Sequence, residues 1–171
     1  MRISLCMTLL LGFAVGCGAP GGGAPASHPS AADAGPVAGA PSDEENGFAR
    51  NVLTRVNVER QAQNLPALLW DGQLAPVAYA HAKDMQTRHF FAHVNPDGKD
   101  PFDRMRDANV SFSSAGENIA QGQQTPAEVM GAWMNSPPHK ANILSADFTM
   151  LGVGVRMGAD GPYWVQEFRR P

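Results

Sequence analysis

The chain has 171 residues and a formal net charge of -3, and its Lys and Arg residues are dispersed along the sequence. No basic stripe is present that would neutralise a row of phosphates, so the sequence predicts no nucleic-acid partner. The length suffices for one domain of ordinary size, which can be stable without disulfides because it buries about two-thirds of its unfolded surface.

The N-terminus has the pattern of an export signal. Arg2 is followed by an apolar run, Ile3 to Val15, which is too short to span a membrane and has the length of a signal-peptide core. The run ends in Ala14-Val15-Gly16-Cys17, which resembles a bacterial lipobox with alanine at the position where leucine is usual. We therefore expect residues 1–17 to be a lipoprotein signal peptide and lipobox, with the lipid on Cys17.

The alternative for this segment is ordinary cleavage after a small residue. That processing would leave Cys17 as an exposed free thiol in an oxidising compartment. Lipidation instead adds two or three acyl chains, enough for stable anchoring. The predicted location is thus outside the cytoplasm, anchored to the membrane through Cys17, and Gly18 is compatible with sorting to an outer membrane.

Residues 18–42 predict a flexible tether. Nearly every residue there is Gly, Ala, Pro or Ser, a composition that buries too little apolar surface to offset chain entropy. At roughly 3 Å per residue, about 25 residues reach at most about 75 Å. Both cysteines, Cys6 and Cys17, precede the tether, so the remaining domain, residues 43–171, contains no disulfide.

Capping motifs and proline positions predict the helices of that domain. Ser42-Asp43-Glu44-Glu45 has capping-box spacing and predicts a first helix to about Gln63. Asp71 is the predicted cap of a second helix, and Asp100-Pro101 begins a short third helix ending near Ala108. Thr125-Pro126-Ala127-Glu128 predicts a fourth, since it combines a cap, a proline and a reciprocal glutamate.

The remaining segments predict strands. Val110 to Gln121 is expected to be extended, and the C-terminus alternates from Leu151 to Met157, turns, and returns from Tyr163 to Phe168. Helices precede strands without a repeating βαβ rhythm. The predicted fold class is therefore α+β, with helices packed on a small antiparallel sheet.

Histidines are the first candidates for chemistry. The domain contains His81, His89, His93 and His139, without a His-Glu-x-x-His motif or a CxxC pair that would indicate a metal site. His81 is interpreted as a packed or capping residue within a helix. His93 opens a loop, where a binding role and a structural role are both plausible.

Glu117 is the second candidate. It lies in Gly116-Glu117-Asn118, within a predicted strand of otherwise apolar residues, where a buried carboxylate needs a partner. A histidine or a cation would make the position functional, whereas backbone amides would make it structural. The residues alone leave both readings open.

The domain resembles the bacterial branch of the CAP/SCP (PR-1-like) family. The resemblance covers essentially the whole domain, because its motifs occur together and in order. They are Phe90-Phe91-x-His93, Gly98, Gly116-Glu117-Asn118-Ile119-Ala120, Trp133-Met134-x-Ser136-x-x-His139-x-x-Asn142-Ile143-Leu144, Gly152-Val153-Gly154-Val155 and Trp164-Val165-Gln166-x-Phe168.

This resemblance implies an α-β-α sandwich with a cleft in which His93 and Glu117 meet. Animal and plant members have a cavity of two histidines and two glutamates, and this chain departs from that pattern. Ser136 stands near the position of one glutamate and Asp147 at that of one histidine, while His139 has no direct eukaryotic counterpart.

We therefore hypothesise that His93, Glu117 and His139, with Asp147 as a fourth member, converge into a polar cleft that takes a divalent cation such as zinc. Asn118, Ser136 and Asn142 are expected to support this cleft. Without a metal, Glu117 is expected to pair with a histidine.

Three classes of function follow from this reading. The first is a ligand-binding module of the cell envelope, recognising a lipid, a peptide or a glycan, and it is favoured because no nucleophile-base pair is visible. Ser136 and His139 are close in sequence, but the prolines between them restrict how they can meet. The alternatives are a metal-dependent hydrolase with Glu117 as base, and a purely structural stalk domain.

Overall fold

The computed structural model describes residues 2–3, 7–10 and 39–171. The predicted lipidation residue, Cys17, and most of the predicted tether lie outside the described residues. The elements are β1 (Arg2–Ile3), β2 (Met7–Leu10), α1 (Asp43–Ala62), β3 (Leu69–Trp70), α2 (Leu74–Arg88), α3 (Pro101–Asp107), β4 (Ser114–Gln121), α4 (Pro126–Met134), α5 (Pro137–Ile143), β5 (Met150–Arg156) and β6 (Tyr163–Arg170).

A mixed sheet forms the centre of the domain. Strands β4, β6 and β5 are antiparallel neighbours, and β3 adds to β5 in parallel. The sheet is thus antiparallel apart from its short outer strand. At the opposite edge, β1 and β2 both pair antiparallel with β4.

Capping residues set the helix boundaries largely as the sequence predicts. Ser42 and Glu45 form a complete capping box at the start of α1, and Asp100 caps α3. Asp71 lies before the start of α2, but its Oδ1 still accepts bonds from the amides of Gln73 and Leu74. These are the bonds that an N-cap side chain makes, and the backbone oxygen of Asp71 also accepts from the amide of Ala75, so Asp71 has the predicted capping role although α2 begins at Leu74.

Helices cover both faces of the sheet. The first cluster packs α1, α4 and α5 against one face and includes Trp133, Trp164 and Phe168. Two further clusters pack α2 and α3 against the other face, around Leu74 and Met85. The α-β-α sandwich of the CAP/SCP type is therefore confirmed.

Among the residues whose burial the structure describes, the three hydrophobic clusters are built from positions between Phe48 and Phe168. We therefore expect the segment from Ser42 to Pro171, called here the domain fragment, to fold without the preceding residues. No helix in the described part of the chain is long and apolar enough to cross a membrane.

Glycines in β5 let α2 approach the sheet closely. A Cβ at Gly154 would lie 2.1 Å from the backbone nitrogen of Tyr79, and one at Gly152 would lie 2.4 Å from the Cβ of Leu74. No side chain fits at either position. This close approach fixes the distance between α2 and the centre of the sheet, where the polar residues described next are found.

Candidate functional site

A cluster of charged and titratable residues lies between the sheet and the α2–α3 layer. We call it the acid cluster, and its members are His81, His93, Arg104, Glu117 and Glu167. Glu117 on β4 is at its centre and is fully buried. The period-2 alternation of β4 turns Glu117 toward α2 and α3, while Gly116 and Asn118 face the opposite layer.

Arg104 on α3 forms an ion pair with Glu117. Its Nη2 lies 2.6 Å from Glu117 Oε2. The other terminal nitrogen, Nη1, donates to the backbone oxygens of His93 at 2.7 Å and Lys99 at 3.1 Å. A single guanidinium therefore holds the carboxylate and also fixes the loop that carries His93.

His93 contacts the other oxygen of the same carboxylate. The Nδ1 of His93 lies 2.6 Å from Glu117 Oε1. In the neutral imidazole this nitrogen is the donor, because a carboxylate only accepts, so Nε2 carries a lone pair. That Nε2 is buried without a hydrogen-bond partner among the described residues.

His81 completes the cluster from α2. Its Nε2 donates to the backbone oxygen of Ala92 at 3.0 Å and lies 3.9 Å from Glu117 Oε2. Burial lowers the pKa of His81 to about 4 despite the neighbouring Glu117. His81 is therefore neutral at pH 7, and its contribution at that pH is a fixed dipole rather than a charge.

Arg104 is consequently the permanent cation of the cluster. Burial alone would raise the pKa of Glu117, but His81, Arg104 and the hydrogen bond from His93 more than offset that effect and lower it to about 2. The carboxylate is thus ionised throughout the physiological range. A buried charge of this kind is tolerated only when it is paired and hydrogen-bonded.

Glu167 is a second buried carboxyl group in the cluster. It lies directly opposite Glu117 on β6, is fully buried, and has its Oε1 3.8 Å from Arg104 Nη2. When ionised, it has no hydrogen-bond donor among the described residues, whereas its protonated O–H can donate to Glu117. Burial and then the charge of Glu117 raise its pKa well above the ordinary value.

The acid cluster opens to solvent through a groove between α2 and α3. Two adjoining pockets of about 410 and 550 Å³ share Ala80 and Arg104 along this groove. Polar residues line one end, among them His81, Lys83 and Asn95. Pro76, Val77 and Ala108 make the other end apolar. We call this feature the α2–α3 groove.

His139 does not join His93 and Glu117. It is buried on the opposite face of the sheet, where its Nδ1 bonds the hydroxyl of Ser136 at 2.7 Å. Its backbone oxygen accepts from Asn118, whose side chain also donates to Gln166. The expected convergence fails because Glu117 and Asn118 are consecutive strand residues that point to opposite faces.

Asn142 and Asp147 also lie away from the acid cluster. Asn142 is on the same face of the sheet as His139, and Asp147 is at the surface. Asn142 donates to the side chain of Asn118 and to the backbone oxygen of Glu117. Together with Ser136, it belongs to a buried network that supports β4 from behind. Asp147 is exposed, and its backbone oxygen accepts from Arg170, so it contributes nothing to the acid cluster.

The arrangement does not fit a divalent cation as predicted. Within residues 39–171, no three His, Cys, Asp or Glu side chains are placed together to hold a metal ion. Of the proposed donors, only His93 and Glu117 meet, and the guanidinium of Arg104 occupies the second oxygen of Glu117. A cation at that oxygen would be repelled by a permanent positive charge.

Arg104 and Glu167 were not predicted from the sequence, and His81 was interpreted there only as a packed or capping residue. The signal for Glu167 was available, since it is a carboxylate within a predicted strand, as Glu117 is. Arg104 had no local signal, because its partners, His93 and Glu117, are 11 and 13 residues away. Only the tertiary arrangement brings α3 over β4.

Comparisons with known proteins agree with this fold. The sequence profile of CAP, the Cysteine-rich secretory protein family, matches residues 53–168. Despite that description, the matched segment contains no cysteine. Two proteins of Bacillus subtilis (strain 168) are similar to the chain. "Uncharacterized protein YkwD" is 43% identical over 121 residues, which is 71% of this chain and 46% of that protein.

The second, "Uncharacterized membrane protein YlbC", is 39% identical over 120 residues, 70% of this chain and 33% of that protein. The chain thus spans less than half the length of either relative. A crystal structure of an extracellular protein containing a SCP domain from Bacillus anthracis str. Ames has a TM-score of 0.70 and 35% identity, covering 81% of this chain and 45% of that one.

The matched segment, the sandwich and the placement of His93 beside Glu117 thus lead to one assignment: the chain belongs to the CAP family.

Proposed function

We propose that this chain is an exported, membrane-anchored CAP-domain protein that binds a ligand of the cell envelope in the α2–α3 groove. The ligand is a lipid, a peptide or a glycan. The observation that carries the proposal is the buried ion pair between Glu117 and Arg104 at the base of that groove.

A buried ion pair adds little to the stability of a fold. The cost of removing two charges from water often equals or exceeds their attraction, so an apolar pair of similar size would stabilise the core as well. Perturbed titratable groups at the base of an open cleft are typical of functional sites. Glu117 and Glu167 have pKa values shifted in opposite directions, which supports such a role.

The chemistry of the groove suits a ligand with both polar and apolar parts. Lys83 offers a donor at the polar end, and Arg104 lies where the two ends meet. Val77 and Ala108 offer an apolar surface at the other end. No hydroxyl or thiol lies within hydrogen-bond distance of the ring nitrogens of His93 in the described part of the chain, so binding is favoured over covalent catalysis.

Export and anchoring rest on the N-terminal sequence and on the relatives. The apolar run before Cys17 has the pattern of a lipoprotein signal. One similar structure is of an extracellular protein, and one similar curated protein is called a membrane protein. Cleavage before Cys17 would remove β1 and β2, which pair with β4 at one edge of the sheet.

The test is co-sedimentation of the purified domain fragment with insoluble bacterial cell wall and, separately, with phosphatidylglycerol vesicles. Ala80 lines both pockets and is exposed, so Ala80→Trp fills the groove without removing a charged residue. Ala127→Trp, at an exposed position on α4, is the matched control.

We expect the wild type and the Ala127→Trp variant to sediment with one of the two probes and the Ala80→Trp variant to remain largely in solution. Equal sedimentation of both variants would place binding elsewhere on the domain. No sedimentation of the wild type with either probe would contradict an envelope ligand of these classes.

A further inference from the structure

The acid cluster surrounds a guanidinium with the side chains that a metal ion would use. Two carboxyl groups, Glu117 and Glu167, and two imidazoles, His81 and His93, are its titratable members. Carboxylate oxygens and imidazole nitrogens are the usual ligands of zinc in proteins. Arg104 Nη2 contacts both carboxyl groups, at 2.6 Å from Glu117 and 3.8 Å from Glu167.

The backbone fixes the guanidinium in this position. Arg104 Nη1 donates to the carbonyl oxygens of His93 and Lys99, which both lie in the segment before α3. The side chain is only 10% exposed. It therefore cannot move away from Glu117 without breaking two further hydrogen bonds.

Several acceptors around Arg104 remain without a partner among the described residues. They are Nε2 of His93, Nδ1 of His81 and, in its ionised form, both oxygens of Glu167. Native proteins rarely leave buried polar atoms unpaired, and such atoms call for an explanation. In His81 and His93 the other ring nitrogen lies 3.9 and 2.6 Å, respectively, from a Glu117 oxygen, and Oε1 of Glu167 lies 3.8 Å from Arg104 Nη2.

We infer that Arg104 is a built-in cation that takes the place of a divalent metal ion in this cluster, so that the CAP site of this chain works without metal. One guanidinium neutralises one carboxylate, and Glu167 stays protonated beside it. The base of the groove then carries no net charge when both imidazoles are neutral.

The inference predicts that removal of Arg104 exposes a latent metal site. Without the guanidinium, Glu117 has an unpaired charge, and Glu167 and the two imidazoles can turn toward an added cation. Zinc should then bind where the wild type excludes it. Arg106→Ala is the matched control, because Arg106 is on the same helix and its side chain pairs with Asp103 at the surface.

The experiment is zinc titration by calorimetry, with thermal melting in the presence and absence of zinc, on the domain fragment. We expect the wild type and Arg106→Ala to show no zinc binding that depends on Glu117. Arg104→Ala should have a lowered Tm that rises again with zinc and should bind about one ion per chain. Arg104→Ala combined with Glu117→Gln should lose both effects.

Arg104→Gln is a second variant for the case in which Arg104→Ala does not fold, since its amide still donates to Glu117. Stoichiometric zinc binding by the wild type that is lost in Glu117→Gln would overturn the inference. Failure of both Arg104 variants to gain zinc binding would overturn it as well.

This inference concerns the same cluster as the proposed function, but the two can fail separately. The sedimentation test uses Ala80→Trp and needs no metal. Zinc binding by the wild type would overturn the inference about Arg104 and would leave the proposal of envelope binding standing. Absence of sedimentation would contradict the proposed ligand and would leave the inference about Arg104 standing.

Discussion

Glu117 and Glu167 lie directly opposite each other on β4 and β6, and both side chains are fully buried. Like charges in this arrangement repel, and burial makes the repulsion stronger than it is in water. The protein resolves the conflict by pairing Glu117 with Arg104 and by keeping the proton on Glu167. Each residue therefore has a distinct dependence on pH.

Glu167→Gln should stabilise the domain as the pH rises. Because the folded pKa of Glu167 is raised above the ordinary 4.5, the folded state retains a proton that the unfolded chain releases, and stability is lost as the pH rises toward the folded pKa. The neutral amide avoids this loss. The difference in the free energy of unfolding between variant and wild type should increase above about pH 4.5, by about 1.4 kcal/mol per pH unit at most. A difference that is independent of pH would contradict a protonated Glu167.

His81→Gln should flatten the acid side of the stability curve. Burial lowers the pKa of His81 from 6.5 to about 4 on folding. Between these two pH values the unfolded chain binds a proton at His81 and the folded state does not. Stability is complete above pH 6.5 and is lost as the pH falls toward 4, by about 3 kcal/mol in total. Urea denaturation of wild type and variant across this window measures the difference.

Arg60→Lys should destabilise the fold far from the acid cluster. The buried guanidinium of Arg60 donates to the backbone oxygens of Pro66, Ile143 and Ser145, joining α1 to the end of α5. An ammonium group cannot reach all three carbonyls with the same geometry. We expect a loss of about 2–3 kcal/mol in the free energy of unfolding, and little change for exposed Arg55→Lys on the same helix. Equal effects of the two substitutions would contradict this role.

Gly154→Ala and Gly131→Ala should change stability in opposite directions. The added Cβ at Gly154 would collide with the backbone of α2, at 2.1 Å from Tyr79 N, and we expect a loss of about 3 kcal/mol or more. Gly131 is exposed within α4 and has open space around it, so alanine should stabilise the helix by about 1 kcal/mol. Chemical denaturation measures both. A tolerated Gly154→Ala would contradict the close packing of α2 on β5.

Cys17→Ala should release the protein from the membrane. If a lipid on Cys17 is the anchor, the unmodified chain has no described helix that could hold it there. Fractionation of expressing bacteria should find the wild type in the membrane fraction and the variant in the soluble fraction. Mass spectrometry of the wild type should show a diacylglycerol-modified Cys17 at the new N-terminus. An unmodified Cys17, or a variant that stays with the membrane, would contradict lipidation.

Local signals were sufficient to predict most of the fold. The capping box at Ser42 and the cap and proline at Thr125-Pro126 lie where α1 and α4 begin. The pairing of His93 with Glu117 was also predicted and is confirmed. A carboxylate in a buried strand needs a partner, and the family resemblance indicated which histidine it would be. These features depend on short stretches of sequence.

The predictions about the site that were wrong or missing depend on which face of the sheet a residue lies on. His139 was expected beside Glu117. It instead contacts Asn118, the residue that follows Glu117 in β4, on the opposite face of the sheet. Strand alternation applied to β4 predicts that separation once the position of α5 is known. Arg104 comes from a helix whose placement over β4 no local pattern indicates, and its pairing with Glu117 could not be predicted from spacing.

The most direct test of the account is an NMR titration of the ¹⁵N-labelled domain fragment with soluble glycan-peptide fragments of bacterial cell wall and with short-chain phosphatidylglycerol. Binding in the α2–α3 groove predicts saturable amide shifts at Ala80, Asn95 and Arg104 with one of these probes. It also predicts loss of those shifts in Ala80→Trp. Shifts confined to the neighbouring pocket around Ala49 and Trp70, or no saturable shifts with either probe, would contradict the claim that this groove is the binding site.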